Sequence, residues 1–162
     1  MSSSYKRRLL DTLVQKLTEE RDRATSQANE AASGATHEEN RAESDKDMRS
    51  TEASYVARGQ AERVAKLEQA ITLLSRMELR DFSKGAGIEA SALVTLSQAG
   101  KEVTYFLVVA AGGERLTFEG KNLQTLATSS PLGQALLGLA PGDEAEVESP
   151  QGARYYSVTS VT

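Results

Sequence analysis

The chain has no cysteine, which excludes disulfides and thiolate metal sites and permits a reducing compartment. Tryptophan is absent and aromatic residues make up only 5%, so neither a large aromatic core nor a base-stacking platform is available. The single histidine, His37, is a poor metal site without other ligand types and reads as an exposed loop residue. No apolar run approaches the roughly 20 residues that span a bilayer. Residues 1–14 carry basic side chains but lead into a charged helix, not into an apolar signal segment. There is no excess of positive charge: 19 Lys and Arg stand against 23 Asp and Glu, and the formal net charge of -4 argues against neutralising nucleic-acid phosphates as the main task, while leaving room for a local basic patch. Phosphate loops, nucleophile elbows and Cys/His metal spacings are missing. The expectation is a cytoplasmic protein, not attached to a membrane, with no active site of its own.

What is present is helical patterning. Between residues 5 and 32 there is no Pro or Gly, and Leu10, Val14, Leu17, Ala24, Ala28 and Ala31 recur at alternating spacings of 4 and 3, interrupted by Arg21. That is the a/d seam of a coiled coil. Leu74, Ile71, Leu67, Val64, Ala57 and Ala53 repeat the spacing in reverse, interrupted by Gln60. Antiparallel pairing matches Leu17 with Val64, Arg21 with Gln60 and Ala24 with Ala57, so large meets large, small meets small, and the polar interruptions share a layer. The register puts the turn near Asn40 and Arg41. Residues 33–50, polar and charged, become a broad irregular tip, with the second helix starting between Ser44 and Thr51. Local punctuation offers another boundary: Ser33-Gly34 can end a helix, and Thr36-His37-Glu38-Glu39 has the form of a capping box. Lys6-Arg7-Arg8 reads as a solvated helix start.

After Leu79 the periodicity changes. Residues 82–87 read as a linker, and strands are expected over residues 91–96, 103–109, 116–118, 145–149 and 154–161. Ser130-Pro131 opens a short helix with an N-cap and a first-position proline. Leu136 and Leu137 read as its core residues, and Gly138 as its left-handed stop. The fold class is α+β: a coiled-coil hairpin over residues 1–80, then a small antiparallel β domain with one helix over residues 81–162.

The run Ser130-Pro131-Leu132-Gly133-Gln134-Ala135-Leu136-Leu137-Gly138, followed by Gly142-Asp143-Glu144 and the Pro150-Gln151-Gly152 hairpin, resembles the C-terminal domain of the bacterial Gre transcript-cleavage factors. The resemblance implies an FKBP-like C-terminal fold that docks at the secondary channel of core RNA polymerase, with the hairpin tip near the catalytic metal and, indirectly, the 3′ end of the nascent RNA. It implies a cofactor of the polymerase's own cleavage activity, not an enzyme. The family's tip motif is D-x-x-E-N; Glu39-Asn40 matches its E-N, but its Asp position falls on Thr36. Glu39 is then the candidate for sharing a polymerase-held Mg²⁺, and Glu38, Glu43, Asp45 and Asp47 are candidates to supply the missing carboxylate. Asn40, Gly133 and Gln134 are candidate partner-binding residues, and a monomer is expected. Two other functions stay open: a channel binder that modulates transcription without cleavage, and a coiled-coil scaffold unrelated to transcription.

Overall fold

The structure is a computed structural model that describes residues 3–39 and 44–162, with side chains described except at positions 34–50 and 53. Two long helices come first, α1 (Ser3–Glu39) and α2 (Ser44–Ser75), followed by β1 (Leu93–Gln98), β2 (Lys101–Val108), β3 (Arg115–Phe118), β4 (Lys121–Ala127), α3 (Pro131–Leu136), β5 (Glu144–Ser149) and β6 (Gly152–Val161). The chain divides into two compact units, residues 14–72 and residues 1–13 with 73–162.

In the unit formed by residues 14–72, shielding follows the predicted seam. Leu17 and Ala24 are buried, and Val14, Arg21, Ala28 and Ala31 are half-buried on α1. Ala57, Gln60, Val64, Leu67 and Ile71 are half-buried on α2, while most of their neighbours are exposed. An ion pair between Arg63 and Glu20, at 3.7 Å, ties the two helices together and agrees with a register that sets Leu17 against Val64. The polar layer is imperfect: Arg21 bonds to Asp22 at 3.0 and 3.2 Å, and the buried Oε1 of Gln60 has no hydrogen-bond partner among the described residues.

Leu17→Ala should destabilise this unit by about 2 kcal/mol and Val64→Ala by less, because Leu17 is the more buried of the two. If the two share a layer, the double variant loses less than the sum of the singles. Strict additivity in urea unfolding would dismiss the register.

The helix boundaries differ from the expected broad tip. α1 runs without a break through Ser33-Gly34 and Thr36 to Glu39, and α2 begins at Ser44, the earliest position foreseen. A glycine inside a helix costs only about 1 kcal/mol, too little to stop a helix of 37 residues whose hydrogen bonds continue on both sides. The capping box likewise starts no helix. The turn expected near Asn40 and Arg41 lies outside the described residues.

In the other unit the six strands form one sheet in the order β3-β4-β2-β1-β6-β5. Every neighbouring pair is antiparallel except β2 with β4, which run parallel and align Tyr105 with Gln124 through Val108 with Ala127. The sheet is therefore mixed, not purely antiparallel as expected, and the cause is β4, a strand the sequence reading did not identify. On one face Val94, Leu96, Leu107, Ala145 and Val158 pack with Leu136 of α3 and with Phe82 and Ile88. Burying each large apolar side chain in this layer contributes roughly 1.5–3 kcal/mol. Phe82 is thus core, although residues 82–87 read as a free linker. Leu137 corrects the opposite way: Leu136 is fully buried, whereas Leu137 is 38% exposed. One side of so short a helix meets the sheet, and Leu137 lies past it.

The base of α1 belongs to this unit. Tyr5 packs edge-on against Phe118 with ring centroids 5.2 Å apart, and Arg8 pairs with Glu119 at 3.0 Å. Lys6 overturns its reading as a solvated residue. It is fully buried, its Nζ donates a hydrogen bond to the Arg80 carbonyl at 2.6 Å, and it sits 4.7 Å from the centre of the Phe82 ring. Burial disfavours the ammonium and lowers its pKa from 10.5 to about 8, with the charge of Asp81 opposing.

The folded protein therefore gives up this proton first as the pH rises. Between pH 8 and 10.5 the unfolded chain binds more protons, so stability should increase with pH over that window, by up to about 3 kcal/mol. Tyr5 and Tyr105, both raised above 10.0 mainly by burial, act in the other sense and turn the curve over at its upper end. Urea unfolding at stepped pH checks this: the climb should appear in the native protein and vanish in Lys6→Met. A flat native profile above pH 8 would contradict the burial of a titrating ammonium.

Candidate functional site

Of the expected tip residues, those up to position 39 belong to the end of α1. Thr36, Glu38 and Glu39 form part of the last turn of α1, and their side chains lie outside the described residues. Asn40 and Glu43 lie outside them altogether. Thr36 and Glu39 stand three positions apart on continuous helix, a spacing that puts two residues on one helical face. Among the described residues no group of three or more His, Asp or Glu side chains could hold a metal ion.

The second expected surface surrounds α3. Ser130 is its N-cap: its Oγ accepts from the Gly133 amide at 3.1 Å and donates to the Ala127 carbonyl at 2.7 Å. Pro131 follows at the start of the helix, where its missing N–H costs nothing. Gly138 has the left-handed φ of +82° expected of a helix stop, and its amide bonds to the Ile88 carbonyl at 2.9 Å. Gly133 corrects the expectation of an exposed docking residue, since it is buried. A Cβ there would overlap the Ala127 carbonyl oxygen and stand 3.0 Å from Ser130 Oγ. Its lack of a side chain lets the cap turn close over the helix. Gln134 is exposed, with Nε2 donating to the Thr128 carbonyl at 3.0 Å.

The sequence reading missed one more feature of this domain. Ser91, buried with a left-handed φ of 75°, accepts from the Arg80 amide through Oγ at 2.9 Å. Arg80 is also the residue whose carbonyl receives Lys6, so one short segment is held from two sides. Nothing in the local sequence marks either contact, because the partners are far apart in the chain.

The architecture defines a class first: a long helical hairpin followed by a mixed-sheet domain with one capped helix. Sequence comparison adds similar proteins. Residues 85–162 match the family model described as "Transcription elongation factor, GreA/GreB, C-term". The transcription elongation factor GreA of Hyphomonas neptunium is 34% identical over 90 residues, covering 54% of this chain and 55% of that protein. GreA of Rhodospirillum rubrum is 33% identical over 102 residues, covering 61% and 60%. The chain thus spans between about half and three-fifths of the length of these curated relatives. Among solved structures, the transcription factor Gfh1 is 21% identical with a TM-score of 0.38, covering 91% of this chain and 92% of that one. A GreA/GreB factor from Nitrosomonas europaea is 23% identical with a TM-score of 0.36, covering 68% and 92%. The match over residues 85–162 takes in the Ser-Pro helix and its Gly-Asp turn, the run that carries the resemblance. No helix among the described residues is long and apolar enough to cross a membrane.

Proposed function

We propose that this protein is a Gre-type transcription factor that binds bacterial core RNA polymerase in the cytoplasm, with the C-terminal domain docking at the secondary channel and the hairpin entering it. The observation that carries the reading is the Gre-type C-terminal domain at residues 85–162, preceded by two helices of 37 and 32 residues. The chemistry then belongs to the polymerase, and the tip modifies it. Glu39 would add a single carboxylate to a Mg²⁺ held mainly by the polymerase, an ion that when bound activates water for attack on backtracked RNA. Asn40 would help to seat the tip. Thr36 carries no charge, so a second carboxylate would have to come from a neighbouring acid, Glu38, Glu43, Asp45 or Asp47.

That substitution favours a second reading within the same class: a channel binder that regulates transcription without stimulating cleavage. Two measurements separate these readings. Capture of core RNA polymerase by the purified protein tests the class, and its failure would dismiss both. Release of short 3′ RNA fragments from a stalled, backtracked complex then decides between the cleavage factor and the regulator.

A further inference from the structure

The mixed sheet packs its core on one face and holds a cavity on the other. Val94 and Leu96 belong to the core, so Leu93 and Thr95, which alternate with them along β1, stand on the opposite face. The register aligns Thr95 with Thr104 on β2 and with Ser160 on β6, which sets a row of three hydroxyls across three strands. Tyr5, from the first turn of α1, is held beside this face by its edge-on contact with Phe118. Between Tyr5 and the sheet lies a cavity of about 220 Å³, lined by the hydroxyl row, by Leu93 and Leu123, and by Lys121 at its β4 end.

The polar side chains of this lining are donors. Thr95 and Thr104 Oγ1 are 3.2 Å apart, and since one of them donates to the other, one proton of the pair is left over. The Ser160 hydroxyl and the Lys121 ammonium have no side-chain hydrogen bond or ion pair among the described residues. No Asp or Glu side chain among the described residues lines the space, and Glu119, beside the Tyr5 contact at Phe118, is held by Arg8 at 3.0 Å. Such a set favours a ligand with surplus acceptors and negative charge. The walls add a second requirement. Leu93 and Leu123 are buried and Tyr5 presents a ring, so the body of the ligand is apolar and flat. Size adds a third: an apolar cavity of about 150 Å³ admits benzene, so this one takes a six-membered ring with one acid group and little more.

We propose that this cavity is a binding site for a small aromatic acid, its ring between Leu93, Leu123 and Tyr5 and its carboxylate toward Lys121 and the hydroxyl row. Lys121 and Ser160 are exposed, so the charged end stays at the rim and keeps part of its hydration. All of these residues belong to the unit of residues 1–13 with 73–162. Neither the site nor its test involves a polymerase.

Titration of the full chain with benzoate, followed by amide-detected NMR, reads the site directly. The amides of Leu93, Thr95, Thr104 and Leu123 should shift together, with a roughly millimolar Kd or tighter. Benzamide keeps the ring and the size but not the charge, and should bind roughly tenfold more weakly. Lys121→Met should remove that preference by weakening benzoate roughly tenfold while leaving benzamide nearly unchanged, and Lys121→Arg should retain it. Ser160→Phe, at an exposed rim position, should fill the cavity and abolish binding of both compounds while the rest of the spectrum stays native. Amides at these four positions that do not move with benzoate, or that move equally with benzamide and still respond in Ser160→Phe, would overturn the assignment.

Discussion

Gly133→Ala is expected to lower the melting temperature by on the order of 10 °C, a loss of about 3–4 kcal/mol from one methyl group. The new carbon would occupy the space of the Ala127 carbonyl oxygen, which already accepts hydrogen bonds from the Ser130 amide at 3.0 Å and the Ser130 hydroxyl at 2.7 Å. Relief requires moving backbone, not turning a side chain. The movement would open the N-cap, worth about 1 kcal/mol alone, and draw Leu136 away from Val94, Leu96 and Leu107. Gln134→Ala, next along the helix, removes one exposed hydrogen bond and should change stability by less than about 1 kcal/mol. Thermal unfolding of the two variants side by side tests the contrast. A Gly133→Ala protein that melts within a degree or two of native would mean that the turn over α3 is loose, and would reopen Gly133 as a partner-facing position.

Elements with strong local patterning were legible in the sequence. The seam from Val14 to Ala31 and its counterpart on α2 were readable because a period of 3.6 repeats over many turns, and the shielding at Leu17, Ala24, Val64 and Leu67 follows it. The Ser130-Pro131 start and Gly138 stop of α3 were readable because each residue is the chemical answer to an unpaired backbone group or a left-handed turn. Strand β4 escaped because its inward positions include Thr125, a polar residue that is buried only because its hydroxyl bonds to the Ala111 carbonyl at 2.6 Å and to the Glu114 amide at 2.9 Å. Without those distant partners, Lys121-Asn122-Leu123-Gln124-Thr125 looks like a polar connection. Lys6 escaped for the same reason. Its burial depends on a carbonyl 74 residues away and on a phenylalanine in what looked like a linker, and three consecutive cations present no pattern that singles out one of them. For the tip, the pattern Glu39-Asn40 pointed to a role only through resemblance, since isolated acidic residues on a helix end are ordinarily just solvated.

If the tip acts by lending a carboxylate, Glu39→Gln should cut polymerase-dependent RNA cleavage by roughly a hundredfold or more while leaving polymerase binding nearly unchanged. Glutamine keeps the size and hydrogen-bonding capacity of glutamate but not its charge, so what is lost is stabilisation made only as the reaction proceeds. Docking, assigned to the C-terminal domain and the flanks of the hairpin, does not depend on that charge. Thr36→Asp should act in the opposite direction. It sits one helical turn before Glu39 on the continuous α1, so a carboxylate there shares a face with Glu39 and restores the D-x-x-E-N pattern. Its gain should be greatest at low Mg²⁺, where recruiting the ion limits the rate. Fragment release from a backtracked complex, measured beside a binding isotherm for the same proteins, keeps the two effects apart. A native protein that binds but does not cleave, with activity appearing in Thr36→Asp, would identify a regulator that has lost half of a cleavage tip. Strong native cleavage that survives Glu39→Gln would dismiss Glu39 and shift the assignment to a neighbouring acid, with Glu38 and Glu43 the first to test.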